Sequence, residues 1–176
     1  MRLIHSAILC LYLSTAAASM AGQQGLGLNY IQGEGNVKGL KIAYLLKSDK
    51  LHKYLDKSTL DLELSVNFWT YGNPNQHQTN FVLAVSPIFQ YQLGEFNNLP
   101  VFGIFGIGVS LFDSTHFAGK NVGSHYQFED RLGLAIKTGK NLQNLWSLTY
   151  FHYSNGGLQK PNPGLDFVAL SYSHYY

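Results

Sequence analysis

FHYSNGGLQKPNPGLD, residues 151–166, gathers a His, a Ser and an Asp around one loop. A serine hydroxyl is a poor nucleophile while neutral. An imidazole beside it can take its proton during attack on a carbonyl and return that proton to the leaving group. A carboxylate can fix the imidazole tautomer and stabilise the imidazolium. Ser154, His152 and Asp166 are candidates for these three roles. Such chemistry also needs donors for the oxyanion that forms on the attacked carbonyl. Asn155, the backbone N–H groups around Gly156 and Gly157, and the Asn162 side chain are the candidates nearby.

The surrounding pattern says which surface carries these groups. Trp146, Leu148, Tyr150, His152 and Ser154 alternate with Ser147, Thr149, Phe151 and Tyr153. Side chains on a strand alternate between faces, so His152 and Ser154 share a face, with α-carbons ~6.5 Å apart at ~3.3 Å per residue. Asp166 opens a second alternating run and shares a face with Val168, Leu170 and Tyr172. An antiparallel pairing puts all three groups on one face if paired residue numbers sum to an even value.

Alternation recurs along the chain. Leu60, Leu62, Leu64, Val66 and Phe68 interleave with Asp61, Glu63, Ser65 and Asn67; Phe128, Leu132 and Leu134 interleave with Glu129 and Arg131. Eight strands are expected, near 25–33, 38–48, 60–71, 79–91, 100–112, 125–138, 145–154 and 166–176. Turn-rich stretches such as GEGN, GNPNQHQ, GKNVG and PNPG separate them. Each strand is near the ~10 residues of a tilted transmembrane strand. FVLAV and VFGIFGIGV are apolar on both faces, so the pattern is imperfect in strands four and five. GIFGIG, residues 103–108, lacks a following Lys-Ser/Thr and reads as close strand packing, not a phosphate loop.

Two eight-stranded barrels fit this pattern. A lipocalin-type barrel turns its apolar face inward around a ligand; a membrane barrel turns it outward and fills its interior with polar side chains. The charged pattern alone leaves both open. The C-terminal run DFVALSYSHYY, with alternating apolar residues and the terminal aromatic Tyr176, resembles the assembly signal of bacterial outer-membrane barrels. The N-terminus points the same way. Arg2, the apolar run AILCLYLSTAAA and Ser19-Met20-Ala21 read as a secretory signal over residues 1–21, with cleavage after Ala18 the alternative. The run is short of the ~20 residues that span a bilayer as a helix. An all-β, eight-stranded antiparallel transmembrane β-barrel over residues 22–176, in a bacterial outer membrane, is the expectation.

Composition excludes several functions. Cys10 is the only cysteine and lies in the signal segment, so residues 22–176 have no disulfide, thiol nucleophile or Cys-based metal site. A formal net charge of +2 is too small to suggest nucleic acid. His77, His116 and His125 lie in or beside loops without metal-like spacing. No metal or organic cofactor is expected. KSDKLHKYLDK, residues 47–57, reads as a short amphipathic helix or a solvated turn. An even strand number brings both termini to one side and places the loop SNGGLQKPNPGL at the opposite, outer end.

HYSNGGLQKPNPGLD resembles the active-site segment of the PagL-type lipid A 3-O-deacylases, outer-membrane esterases built as eight-stranded barrels. The H-x-S-N core falls at His152, Ser154 and Asn155, the acidic member at Asp166 and the oxyanion Asn at Asn162. The specific match covers about the last thirty residues. The best-known members carry Glu at the acidic position; Asp is one methylene shorter, so the strand pairing must bring it closer to His152. The resemblance implies hydrolysis of the 3-position hydroxyacyl ester of lipid A. It also implies lipopolysaccharide and outer-membrane lipids as partners, with homodimer formation left open. A non-catalytic barrel for adhesion or envelope structure, and an acyltransferase or phospholipase barrel, are the competing readings.

Overall fold

The computed structural model describes residues 22–73 and 76–176; the expected signal segment, 1–21, lies outside the described residues. Ten strands run in chain order: β1 (Gln24–Gly33), β2 (Lys38–Ser48), β3 (Ser58–Asn73), β4 (Gln76–Phe96), β5 (Leu99–Phe112), β6 (His116–Phe117), β7 (Lys120–Asn121), β8 (Tyr126–Thr138), β9 (Asn144–Ser154) and β10 (Leu165–Tyr175). Eight of them close an antiparallel barrel in which β10 returns to pair with β1, while β6 and β7 form a small hairpin inside the β5–β8 connection. Closure removes every free edge, so the ladder satisfies the backbone polar groups all the way round.

The apolar faces point outward. Leu132, Leu134, Leu148 and Leu170 are each more than half exposed, whereas Lys41, Asn67, Gln127 and Glu129 are completely buried. This inversion rules out the lipocalin arrangement and is what a transmembrane barrel requires. Aromatic side chains gather toward both ends of the belt, as in the Phe68–Phe81 and Trp146–Tyr172 contacts.

The interior is solid and layered. In the middle, two cations and two carboxylates neutralise one another. Arg131 grips Glu63 with two parallel bonds of 3.1 and 2.8 Å, and also bonds Glu129. Lys41 Nζ lies 2.8 Å from Glu63 and 3.1 Å from Glu129. Ser86 and Tyr153 each donate to Glu129 at 2.7 Å. Gly108 makes room for this layer, since a Cβ there would lie 1.9 Å from Ser86 Oγ. Above the charges sits a cap of Trp69, Phe112, Phe117, Tyr153 and Phe167. Below them Leu45, Ile88, Phe102 and Ile104 pack together. These two apolar layers explain why FVLAV and VFGIFGIGV lack a polar face: Val82 belongs to the cap, and Phe102 and Ile104 to the lower layer.

Two boundaries differ from the sequence reading. Strand β4 runs on to Phe96, past a register shift between Gln92 and Gly94 that interrupts the alternation, and turns at Asn97-Asn98 with φ of 50° and 63°. Two successive positive φ values are the requirement of the tight hairpin turn that matches strand twist. The GNPNQHQ stretch is mostly strand, because β3 and β4 stay paired out to Asn73 and Gln76. The charged stretch after β2 forms a short 3-10 turn, Asp49–Lys53.

Candidate active site

Strands β9 and β10 carry the site. Their register makes Asp166 the direct cross-strand partner of His152. Both side chains point outward at the end of the barrel where the 155–164 loop begins, and they remain about one-third exposed (35% and 30%). His152 Nδ1 lies 2.7 Å from Asp166 Oδ1. Directly opposed residues have the closest approach a sheet offers, which accommodates the shorter acid. An ionised carboxylate has no proton to give, so Nδ1 carries the hydrogen and Nε2 is left as the basic nitrogen. Ser154 is the last residue of β9, on the same face and half-buried. Its hydroxyl has no hydrogen bond among the described residues; such contacts commonly tighten only when substrate is bound.

The inward residue between them anchors this edge. Tyr153 is buried, donates to Glu129 and packs against Trp69, Phe112 and Phe167. The charged layer therefore holds the strand that carries His152 and Ser154 from inside.

The loop is built around Asn155, which is wholly buried. Its two amide hydrogens go to the carbonyls of Val122 and Gln159, at 3.0 and 2.9 Å. Its side-chain oxygen accepts the Gly157 N–H at 3.0 Å, and its own N–H goes to Asn162 Oδ1 at 3.0 Å. Asn155 thus knits the 155–164 loop to the β5–β8 connection, and neither its amide nor the Gly157 N–H is left over for an oxyanion. Among the described residues the Gly156 N–H carries no such bond, and the bond to Asn162 Oδ1 leaves the Nδ2 end of that amide to donate elsewhere.

Four further residues belong to the neighbourhood and were not singled out from the sequence. The Tyr150 hydroxyl donates to Asp166 Oδ1 at 2.5 Å. Asp130 faces outward on β8, directly across from His152 on its other side. Lys120 bonds both Glu34, at 2.5 Å, and the Gly164 carbonyl, at 3.2 Å, tying three outer connections together. Gly164, at φ +69°, sits so close to the imidazole that a Cβ there would lie 2.7 Å from His152 Cε1. Strand parity puts Tyr150 and Asp130 on the right face, but no sequence spacing signals these contacts.

Below the site the outer wall is hollow. A depression of about 660 Å³ is lined by Phe105, Leu132, Leu134, Leu148, Tyr150 and Val168, with Gly103 and Gly133 as floor positions. A second apolar depression, about 730 Å³ on the wall from β1 through β5 to Tyr126 of β8, includes none of the site residues. Among the described residues no group of three His, Cys, Asp or Glu side chains is placed to hold a metal ion. His125 bonds the Phe112 carbonyl and His116 bonds Thr115.

Fold and site together define a transmembrane β-barrel with a serine beside a histidine–carboxylate pair on its outer wall. Residues 38–175 match the family described as lipid A 3-O-deacylase (PagL), and the chain belongs to that family. It is 35% identical over 119 residues to the lipid A deacylase PagL of Bordetella bronchiseptica, covering 66% of this chain and 64% of that one. It is 37% identical over 90 residues to the lipid A deacylase PagL of Pseudomonas aeruginosa, covering 51% and 50%. The matched region is therefore less than two thirds of the length of either relative. In fold, a crystal structure of the outer membrane enzyme PagL superposes with a TM-score of 0.67 at 22% identity, covering 85% of this chain and 98% of that one. A de novo designed transmembrane β-barrel gives a TM-score of 0.52 at 10% identity, covering 88% and 96%.

Proposed function

We propose that this protein is an esterase of the outer membrane that removes the hydroxyacyl chain esterified at the 3 position of lipid A, with residues 1–21 directing its export. The observation that carries this reading is the outward-facing His152–Asp166 pair, at 2.7 Å, beside Ser154 and above an apolar hollow, in a member of this family. Lipid A lies in the outer leaflet with its acyl chains in the membrane. An enzyme acting on it needs its reactive groups on the lipid-facing wall at the height of the ester, not inside the barrel. Polar groups are tolerable there, because the penalty for even charged residues falls to ~0–1 kcal/mol near the interface.

Ser154 Oγ attacks the ester carbonyl and its proton passes to His152 Nε2. Asp166 holds the ring through Nδ1–H and stabilises the imidazolium. The carbonyl oxygen becomes an oxyanion, for which the Gly156 N–H and Asn162 Nδ2 are the nearby donors not engaged among the described residues. Collapse breaks the bond to the sugar oxygen, which takes the proton from Nε2 and leaves the acyl chain on Ser154. Water, deprotonated in turn by His152, releases the free hydroxy fatty acid. The hollow beneath Tyr150 offers the chain an apolar bed, and no step calls for a metal or organic cofactor.

Tandem mass spectrometry of purified lipid A, before and after incubation with the refolded barrel, tests substrate and position together. The expected product lacks one hydroxyacyl chain, at the 3 position. Loss of a chain from another position would overturn the regiochemistry. An unchanged spectrum with a folded barrel would overturn the deacylase reading in favour of a structural or adhesive role.

A further inference from the structure

We infer that Tyr150 is a positioning residue of the site, its hydroxyl holding Asp166 in the orientation that engages His152. Tyr150 stands opposite Val168 on β10, so Asp166 is its diagonal neighbour across the strand pair. Diagonal neighbours are about 7–8 Å apart, a span that an aromatic side chain can bridge and a short one cannot. Tyr150 makes that reach, and its O–H meets Asp166 Oδ1 at 2.5 Å. The same oxygen receives His152 Nδ1 at 2.7 Å. Two donors arriving at one carboxylate oxygen from two positions of the same strand fix both side-chain torsions of the acid.

A tyrosine at a bilayer interface ordinarily turns its hydroxyl to water. Tyr150 is about half exposed (46%), yet its hydroxyl is spent on the carboxylate. It also separates Asp166 from the apolar hollow that it lines below. Without that hydroxyl, Asp166 Oδ1 would keep the His152 bond alone, with Glu34 close by on its other flank, and would be held less firmly against the imidazole. On the opposite flank, Asp166 borders a cleft of about 90 Å³ shared with Glu34 and Lys120, into which a loosened carboxylate can swing. The short acid of this chain makes such a tether more important than it would be for a longer one.

This inference rests on the esterase reading, and the experiment separates the two. Tyr150→Phe keeps the ring and the wall of the hollow and removes only the hydroxyl. The readouts are lipid A turnover, resolved into kcat and KM, and the rate at which a fluorophosphonate probe labels Ser154 in the refolded barrel. The expected result is a loss of about tenfold in kcat and in labelling rate, the effect of one hydrogen bond to a charged acceptor, with KM unchanged. In an Asp166→Asn background the same substitution is expected to have almost no further effect, because the two act as one unit. Tyr150→Leu, which alters the hollow as well, is expected to raise KM in addition. Wild-type kcat and labelling in folded Tyr150→Phe, or a raised KM alone, would overturn the positioning role and leave Tyr150 a lipid contact. Labelling that depends on Tyr150 in a barrel that leaves lipid A intact would support the positioning role and overturn the substrate instead. A folded wild type that neither labels nor turns over lipid A would overturn both.

Discussion

Replacing Gly164 by Ala adds one methyl group, removes no functional group and should nevertheless disable the site. The added Cβ would lie 2.7 Å from His152 Cε1 and 3.4 Å from Nε2, where ordinary contacts begin at 3.4 Å. Relieving the clash requires the imidazole to move by roughly 0.7 Å, and misplacement on the order of 1 Å costs an enzyme about a hundredfold. The movement acts on the Nδ1–Oδ1 bond of 2.7 Å and on the approach of Nε2 to Ser154. Gly164 also has φ +69°, so Ala adds a backbone penalty of ~1–2 kcal/mol. Gly119→Ala separates the two effects, since Gly119 has φ +75° and nothing within 4 Å of an added Cβ. The assay is kcat for lipid A deacylation by both variants, with electrophoretic heat-modifiability as the check of barrel formation. Gly164→Ala is expected to lose about 10- to 100-fold in kcat and Gly119→Ala to remain near wild type. A folded Gly164→Ala with wild-type kcat, or an equal loss in Gly119→Ala, would refute the argument from steric positioning.

Three other substitutions probe different layers of the molecule. Asp166→Asn removes the charged acceptor of both the His152 and Tyr150 bonds; kcat should fall by about 10²–10⁴-fold while the barrel still forms, and steady-state kinetics would register it. Arg131→Met leaves Glu63 and Glu129 with Lys41 as their remaining cation; a shift of about 3–5 kcal/mol in urea-dependent folding into lipid vesicles is expected, and an unchanged midpoint would mean that the charged layer is not a structural element. Leu134→Arg puts a charge on the lipid-facing belt, where Leu134 is 57% exposed; folding into vesicles should weaken by about 2–4 kcal/mol, and a neutral effect would contradict the orientation of that wall.

Much of this molecule is legible in its sequence because a strand has only two faces. The parity of Trp146 through Ser154 and of Asp166 through Tyr172 assigns His152, Ser154 and Asp166 to one surface, and the register of β9 and β10 places them there. Which face points outward is less legible. Asp61, Glu63, Glu129 and Arg131 suit a solvated exterior as well as a neutralised interior, and only the folded barrel shows Lys41 on β2 reaching both Glu63 and Glu129. A strand end is not legible where a register shift interrupts alternation, as at Gln92 and Gly94. Within the site, the sequence shows which residues carry donors, whereas availability depends on which hydrogens the loop consumes. Asn155 has the right amide, but its hydrogens hold the Val122 and Gln159 carbonyls. The roles of Tyr150 and Gly164 are not legible in the sequence, because a diagonal reach and a close approach are properties of packing, not of spacing.

Ser154 is the proposed nucleophile, and every step of the proposed hydrolysis depends on it. The most direct measurement compares wild type with Ser154→Ala, refolded into vesicles that contain lipid A, by mass spectrometry of the extracted lipid. Loss of one hydroxyacyl chain with wild type, and an intact lipid with an equally folded Ser154→Ala, is the predicted result. Chain loss at the wild-type rate by Ser154→Ala would contradict it.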